Sequence, residues 1–160
     1  MTLEWKYSSE GMLGEDWEAL SNLYRVAPLG DKKPADLQIV FSNSMFKCFV
    51  YDAGTLIAAG RAVADGKDCS YICDIAVAPE RQGSGLGKEM VAALVRLSKG
   101  HKKIILYAVP GKEPFYRKLG FKQVGRLPEL IRPGRVELLL RQPAPPEPSA
   151  PPARRIPGGA

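Results

Sequence analysis

A short apolar run that ends in a glycine-rich turn most constrains the fold of this chain. Residues 72–77 are apolar except for one aspartate, which is typical of a buried strand, and Pro79 ends the run. Three glycines follow at every second position: Gly83, Gly85 and Gly87. Beyond them, apolar residues recur at helical spacing: Leu86, Met90, Ala93, Leu94 and Leu97. The pattern predicts a strand, a glycine-rich loop and a helix in direct succession.

A glycine-rich loop that opens a helix is compatible with two roles. Unpaired N–H groups at the helix start bind anions, and glycine lets the backbone approach them closely. The same glycines also suit a plain connector that eases helix packing. An NTPase phosphate loop is excluded because Gly87 and Lys88 are followed by Glu89, not Ser or Thr. The glycine spacing also fails the dinucleotide fingerprint, so an anion site here would be a pyrophosphate site of another type.

The rest of the chain alternates helices and strands. Helices are predicted from about Gly14 to Pro28, from Pro34 onward, and over residues 114–119. Further strands are predicted over residues 46–51, 55–63, 103–109, 121–124 and 135–140, the first two joined as a hairpin. This order predicts a mixed α/β (α+β) fold.

The prolines are unevenly placed along the chain. Seven of the fourteen fall in residues 143–160, where there is almost nothing apolar to bury. Such a composition is typical of a disordered segment, whereas the preceding residues suffice for a folded core. We therefore predict one domain over residues 1–142 and a Pro-rich disordered tail over residues 143–160.

Composition excludes several classes of protein. The three cysteines, Cys48, Cys69 and Cys73, lack a CxxC spacing, and His101 is the only histidine, so a disulfide scaffold or a metal site is not expected. No apolar run approaches the roughly 20 residues of a membrane span, and no targeting segment begins the chain. We predict a cytoplasmic protein without membrane contact.

The net charge of +6 favours anionic partners, but it does not distinguish nucleic acid, a membrane surface and a phosphorylated small molecule. Lys and Arg are scattered, with no basic stripe interleaved with aromatic residues, so nucleic acid is not an expected partner.

Two segments stand in order along the chain: Gln82, Gly85 and Gly87 in the loop, and residues 115–121 (FYRKLGF) about thirty residues later. They resemble the Q/R-x-x-G-x-G/A loop and the FYxxxGF segment of the GNAT superfamily of acetyl-CoA-dependent N-acetyltransferases. The resemblance implies a mixed, mostly antiparallel sheet that splays in the middle, with helices on both faces. Residues 23–65 are more weakly similar to the small arylalkylamine-acetyltransferase-like branch.

The resemblance also implies acetyl-CoA as cosubstrate. Backbone groups at the end of the strand would bind the pantetheine arm like an added strand: Ile75, Ala76 and Val77. The backbone of the loop would hold the pyrophosphate: Gln82, Gly83, Ser84, Gly85, Leu86 and Gly87. Many members carry an Asn that contacts the pantetheine where this chain has Val109, so that contact is not implied.

Two side chains are candidates for the chemistry. By resemblance, Tyr116 is the general acid that protonates the leaving thiolate of coenzyme A, and the alternative is that it only packs against Phe115. Asp74 is a carboxylate in an apolar strand, where it could accept the amine proton, directly or through water, or attract an ammonium. The alternative is that backbone donors or Arg61 satisfy it, and both alternatives stay open.

These features predict an enzyme that moves acetyl from acetyl-CoA to a primary amine by direct attack in a ternary complex. The acceptor would be a small molecule or a peptide, which one sequence does not specify, and a homodimer is a candidate assembly. The alternative function is a non-catalytic regulatory module that binds an acyl-CoA.

Overall fold

The computed structural model describes residues 2–108, 111–126 and 138–142. The proposed tail, Val109 and the beginning of the last predicted strand lie outside these residues. The elements follow in this order: β1 (Leu3–Lys6), α1 (Gly14–Val26), α2 (Pro34–Ser42), β2 (Phe46–Asp52), β3 (Thr55–Ala64), β4 (Cys69–Val77), one turn of 3₁₀ helix (Pro79–Arg81), α3 (Leu86–Leu97), β5 (Lys103–Ala108), α4 (Glu113–Lys118), β6 (Lys122–Arg126) and β7 (Leu138–Gln142).

The described strands form one sheet in the order β1-β2-β3-β4-β5-β7-β6. Of its neighbouring pairs, β4 with β5 is parallel and the others are antiparallel. The parallel pairing runs from Cys69↔Lys103 to Ile72↔Leu106 and stops there, although β4 continues for five residues and β5 for two. The sheet therefore splays between β4 and β5, as predicted.

Helices cover both faces of the sheet. Gly60 and Arg61 are neighbours in β3 and so point to opposite faces. A Cβ at Gly60 would meet Met90 and Leu94 of α3, whereas Arg61 reaches the Ser44 hydroxyl just after α2. Therefore α3 lies on one face, and α1 and α2 lie on the other.

An aromatic core fixes α1 and α2 on their face. The ring of Phe41 lies between those of three neighbours, with centroid distances of 6.4 Å to Trp17, 6.5 Å to Tyr24 and 5.2 Å to Phe49. All four side chains are buried. Aromatic packing of this kind, added to the apolar area removed from water, holds α1 firmly enough to place the Tyr24 hydroxyl against β4.

Candidate active site

A β-bulge interrupts β4 where the sheet opens. Between the pairs Arg61↔Cys73 and Ala59↔Ala76, β4 has one residue more than β3. Asp74 lies in this bulge with φ +55°, in the left-handed region that few residues other than glycine, Asn and Asp adopt. A bulge bends its strand, and this one comes two residues after the last pair with β5. Local backbone geometry therefore turns β4 away from β5.

Beyond the bulge, one edge of β4 is open. Among the described residues, Ile75, Ala76 and Val77 have no partner on β5, while β3 pairs with their other edge. The Gln82 side-chain amide donates to the Val77 carbonyl oxygen at 3.1 Å and ties the glycine loop to the strand end. The open edge is where the family resemblance implies that the pantetheine arm adds like a strand.

The three loop glycines have different conformations. Gly83 (φ +79°) and Gly85 (φ +90°) lie in the left-handed region, whereas Gly87 does not and belongs to the first turn of α3. Gly85 is the residue before α3, and no side chain caps this helix start. The first N–H groups of α3 therefore keep donor capacity, which suits an anion.

The loop is anchored at its beginning. The Arg81 guanidinium forms an ion pair with Asp52 at the end of β2, and both side chains are half-buried. The Ser84 hydroxyl donates to the Arg81 carbonyl oxygen at 2.6 Å. These contacts attach the loop to the β2–β3 hairpin and fix its position relative to the open edge.

The Asp74 carboxylate lies between two cations on the α1/α2 face. Oδ2 accepts a hydrogen bond from Arg61 Nε at 2.7 Å, and Oδ1 is 3.3 Å from Lys32 Nζ. The Asp74 carbonyl oxygen accepts a hydrogen bond from the Tyr24 hydroxyl at 2.6 Å. The contact with Arg61 is the one that the sequence suggested. Whether Asp74 also takes the amine proton stays a prediction.

Sequence reasoning missed two members of this cluster. Lys32 lies in the loop between α1 and α2, where no periodicity distinguishes it from its neighbours. Tyr24 is a buried residue of α1. Its hydroxyl, which no other buried residue of this helix carries, is the one signal that could have indicated a polar partner. Burial, followed by the charge of Asp74, raises the Tyr24 pKa well above its usual value, so this phenol stays a donor.

Tyr116 lies in α4, which follows β5 in the chain. Its ring is half-buried and makes edge contacts with Phe115 (5.0 Å between centroids) and Phe121 (6.2 Å). Burial raises the pKa of Tyr116 above 10.0, so the phenol carries its proton at neutral pH. A general acid must be protonated before it reacts, so the protonated phenol is compatible with that role. The alternative role, in which Tyr116 only packs against Phe115, is compatible with the ring contacts as well.

Two of the thiols, those of Cys48 and Cys73, are poor nucleophiles. Burial raises the pKa of Cys73 and of Cys48 to about 12, so both are protonated at neutral pH. Within the described ranges, no group of three His, Cys, Asp or Glu residues is placed to hold a metal ion. No helix in this part of the chain is long and apolar enough to cross a membrane.

The sequence of this chain matches a known family over most of its length. The profile of the Acetyltransferase (GNAT) family matches residues 15–121, which include the β4–loop–α3 unit and α4. The chain belongs to the GNAT acetyltransferase family, as predicted, and acetyl-CoA is the cosubstrate of that family.

Individual relatives and a solved structure agree with this assignment. Glucosamine 6-phosphate N-acetyltransferase of Trypanosoma brucei brucei is 28% identical over 131 residues, which are 75% of this chain and 89% of that protein. Serotonin N-acetyltransferase 2, chloroplastic, of Oryza sativa subsp. japonica is 42% identical over 71 residues, 43% of this chain and only 36% of that protein. The structure of an aminoglycoside 6'-N-acetyltransferase complexed with coenzyme A superposes with a TM-score of 0.76 at 18% identity, covering 91% of this chain and 99% of that one. The predicted fold class is thereby confirmed.

Proposed function

We propose that this chain transfers acetyl from acetyl-CoA to a primary amine by direct attack in a ternary complex. The opening between β4 and β5, with the glycine loop beside it, is the observation that carries this proposal. The open edge of β4 offers backbone groups to a pantetheine arm, and the uncapped start of α3, which follows it in the chain, offers N–H groups to a pyrophosphate.

The two substrates approach from opposite faces of the sheet. The backbone of Ile75, Ala76 and Val77 pairs with the pantetheine arm, and residues 82–87 hold the pyrophosphate at the start of α3. The acceptor amine comes from the α1/α2 face, where Asp74 and its cations lie. The thioester therefore lies in the gap between the strands, and holding both reactants in line is the main catalytic contribution.

The chemical step needs no protein nucleophile. The neutral amine attacks the thioester carbonyl, so that an N–C bond forms and the C–S bond breaks. Tyr116 donates its proton to the departing thiolate, and the surplus proton of the new amide nitrogen passes through water to restore the phenol. Asp74 attracts the acceptor's ammonium and takes its proton, directly or through water, and the contact with Lys32 supports its affinity for a primary ammonium.

A non-catalytic module that binds an acyl-CoA is the alternative, since the donor site alone would serve it. A sensor has no need of an acid beside the sulfur, so Tyr116 and thiol release distinguish the two. The acceptor class, small molecule or peptide, follows the family. The cytoplasmic location and a homodimer stay predictions from the sequence.

Replacing Tyr116 by Phe tests the function and the acid together. The ring contacts are retained and the proton is lost, so kcat should fall by about 10²-fold or more. The affinity for acetyl-CoA should stay nearly constant. Thiol release with a panel of primary amines measures kcat, and isothermal titration measures binding.

Tyr7→Phe is the matched control, because Tyr7 is exposed, directly follows the edge strand β1, and should leave kcat unchanged when its hydroxyl is removed. Because the pKa of Tyr116 is raised, loss of its proton should not reduce wild-type kcat below about pH 10. An unchanged kcat in Tyr116→Phe would contradict the acid role. Binding of acetyl-CoA without thiol release for any amine would favour the regulatory module.

A further inference from the structure

A primary amine of the chain itself lies on the acceptor side of the opening. Lys32 Nζ is 3.3 Å from Asp74 Oδ1 and 5.4 Å from the centroid of the Tyr24 ring. A carboxylate oxygen together with an aromatic face is the chemistry that binds an alkylammonium. Asp74 directly precedes the strand edge at which the proposed function places the pantetheine. The Lys32 ammonium thus occupies the place expected for the acceptor's ammonium.

The main chain of Lys32 is held while its side chain reaches inward. Its carbonyl oxygen accepts a hydrogen bond from the Ser21 hydroxyl of α1 at 2.5 Å. The loop borders an open depression of about 460 Å³ that both Lys32 and Lys33 help to line, so solvent reaches both lysines, and the contact with Asp74 is what distinguishes Lys32. The adjacent Lys33 has an exposed side chain and immediately precedes α2. Two neighbouring lysines therefore differ in whether they approach the proposed acetyl site.

We propose that the chain acetylates its own Lys32 in cis when no acceptor amine is present. This inference rests on the proposed function, because it uses the same donor and the same opening. The Lys32 ammonium releases a proton to water, and the neutral Nζ attacks the thioester carbonyl of acetyl-CoA. The N–C bond forms and the C–S bond breaks, Tyr116 protonates the leaving sulfur, and the second Nζ proton passes through water to restore the Tyr116 phenol. The products are N-acetylated Lys32 and coenzyme A, and the charge opposite Asp74 Oδ1 is lost.

Peptide mass spectrometry of the full chain tests this inference. The purified protein is incubated with acetyl-CoA without any amine, and acetylation of Lys32 and of Lys33 is followed over time. Lys32 should become acetylated in most molecules, faster at higher pH, while Lys33 is modified in traces. The first-order rate constant should not change with protein concentration, because the reaction is intramolecular.

Three variants and one parallel assay complete the design. Lys32→Arg should abolish the modification while keeping the positive charge, Lys33→Arg should not alter it, and Tyr116→Phe should slow it strongly. Thiol release with the amine panel is measured on the same preparation. If amines are acetylated but Lys32 is not, the inference is wrong and the proposed function stands; if neither is acetylated, both are wrong. Equal acetylation of Lys32 and Lys33, or a rate constant proportional to protein concentration, would also overturn it.

Discussion

Asp74 has a backbone role and a charge role at the same position. Its left-handed conformation forms the bulge, and its carboxylate joins Arg61 of β3 to Lys32 of the α1–α2 loop. Asn is the informative replacement because it tolerates the same backbone conformation but carries no charge. Alanine would add backbone strain and confuse the two roles.

We predict that Asp74→Asn lowers the free energy of unfolding by about 1–3 kcal/mol, because Arg61 loses a charged acceptor. It should also lower kcat/KM for the amine and change the shape of the pH–rate profile. Urea unfolding and initial rates from pH 5.5 to 9.5 measure both effects. Asp65→Asn, in the β3–β4 turn, is the control and should leave the profile intact. Lower stability with an unaltered profile would restrict Asp74 to a structural role.

Individual residues of the site differed in how far the sequence revealed them. Tyr116 and the loop glycines belong to sequence motifs, so the sequence was enough to single them out. The positive φ of Asp74 could not be predicted, because an aspartate in an apolar run also fits a regular strand. Lys32 contacts a residue 42 positions away in the chain, and side-chain periodicity carries no information about such a contact.

At the scale of elements, two glycines of the glycine loop have different structural roles. Gly85 requires its left-handed conformation to begin α3, whereas Gly87 is an ordinary helical position. A Cβ at Gly87 would lie 3.6 Å from a methyl group of Val77, which is normal contact.

Gly85→Ala and Gly87→Ala should therefore behave differently. Gly85→Ala should lower the free energy of unfolding by about 1–2 kcal/mol and weaken acetyl-CoA binding, because alanine disfavours the left-handed region. Gly87→Ala should keep or slightly raise stability, since alanine is the better helix former. It should still bind acetyl-CoA, because the family motif accepts alanine there. Urea unfolding and isothermal titration check both variants. Equal loss of binding in the two would show that backbone conformation is not what the loop requires.

The sequence predicted the helices and most strands within a few residues, but it did not predict β1. This strand has four residues at the edge of the sheet, and its side chains alternate between half-buried and exposed. So short an alternation is not distinguishable from a loop by pattern alone. Its pairing with β2, from Leu3↔Asp52 to Lys6↔Phe49, is a long-range contact that only the folded chain displays.

At the scale of the whole molecule, the net charge of +6 suits the proposed acetyl donor, acetyl-CoA, which is an anion. Coenzyme A carries three phosphates, and a positively charged protein attracts it over distances that salt screens. The dissociation constant of coenzyme A should therefore rise several-fold between about 50 and 500 mM NaCl, where the Debye length shortens severalfold. Isothermal titration at both concentrations checks this. Pantetheine, which lacks the phosphates, should show little change, and an equal salt response of the two ligands would contradict an electrostatic cause.

Fold class was predictable because the two motifs and the element order point to one family, whereas the sheet order was not. Apolar periodicity identifies a strand but not its neighbour, so the position of β7 between β5 and β6 could not be read from the chain. The splay was expected only by resemblance. Its local cause, a bulge followed by loss of pairing, became visible in the backbone geometry.

The position of β7 in the sheet also determines when the sheet can be completed during synthesis of the chain. β7 pairs with β5 from Ile104↔Gln142 to Ala108↔Leu138 and with β6 on its other side. Until residues 138–142 have left the ribosome, β5 has a bare edge and β6 has no neighbour in the described sheet. An unpaired strand edge is a template for pairing with other chains, so the incomplete sheet exposes such an edge at this stage. The wall of the proposed cofactor site opposite β4 is thus completed by a strand translated about fifty residues after the glycine loop.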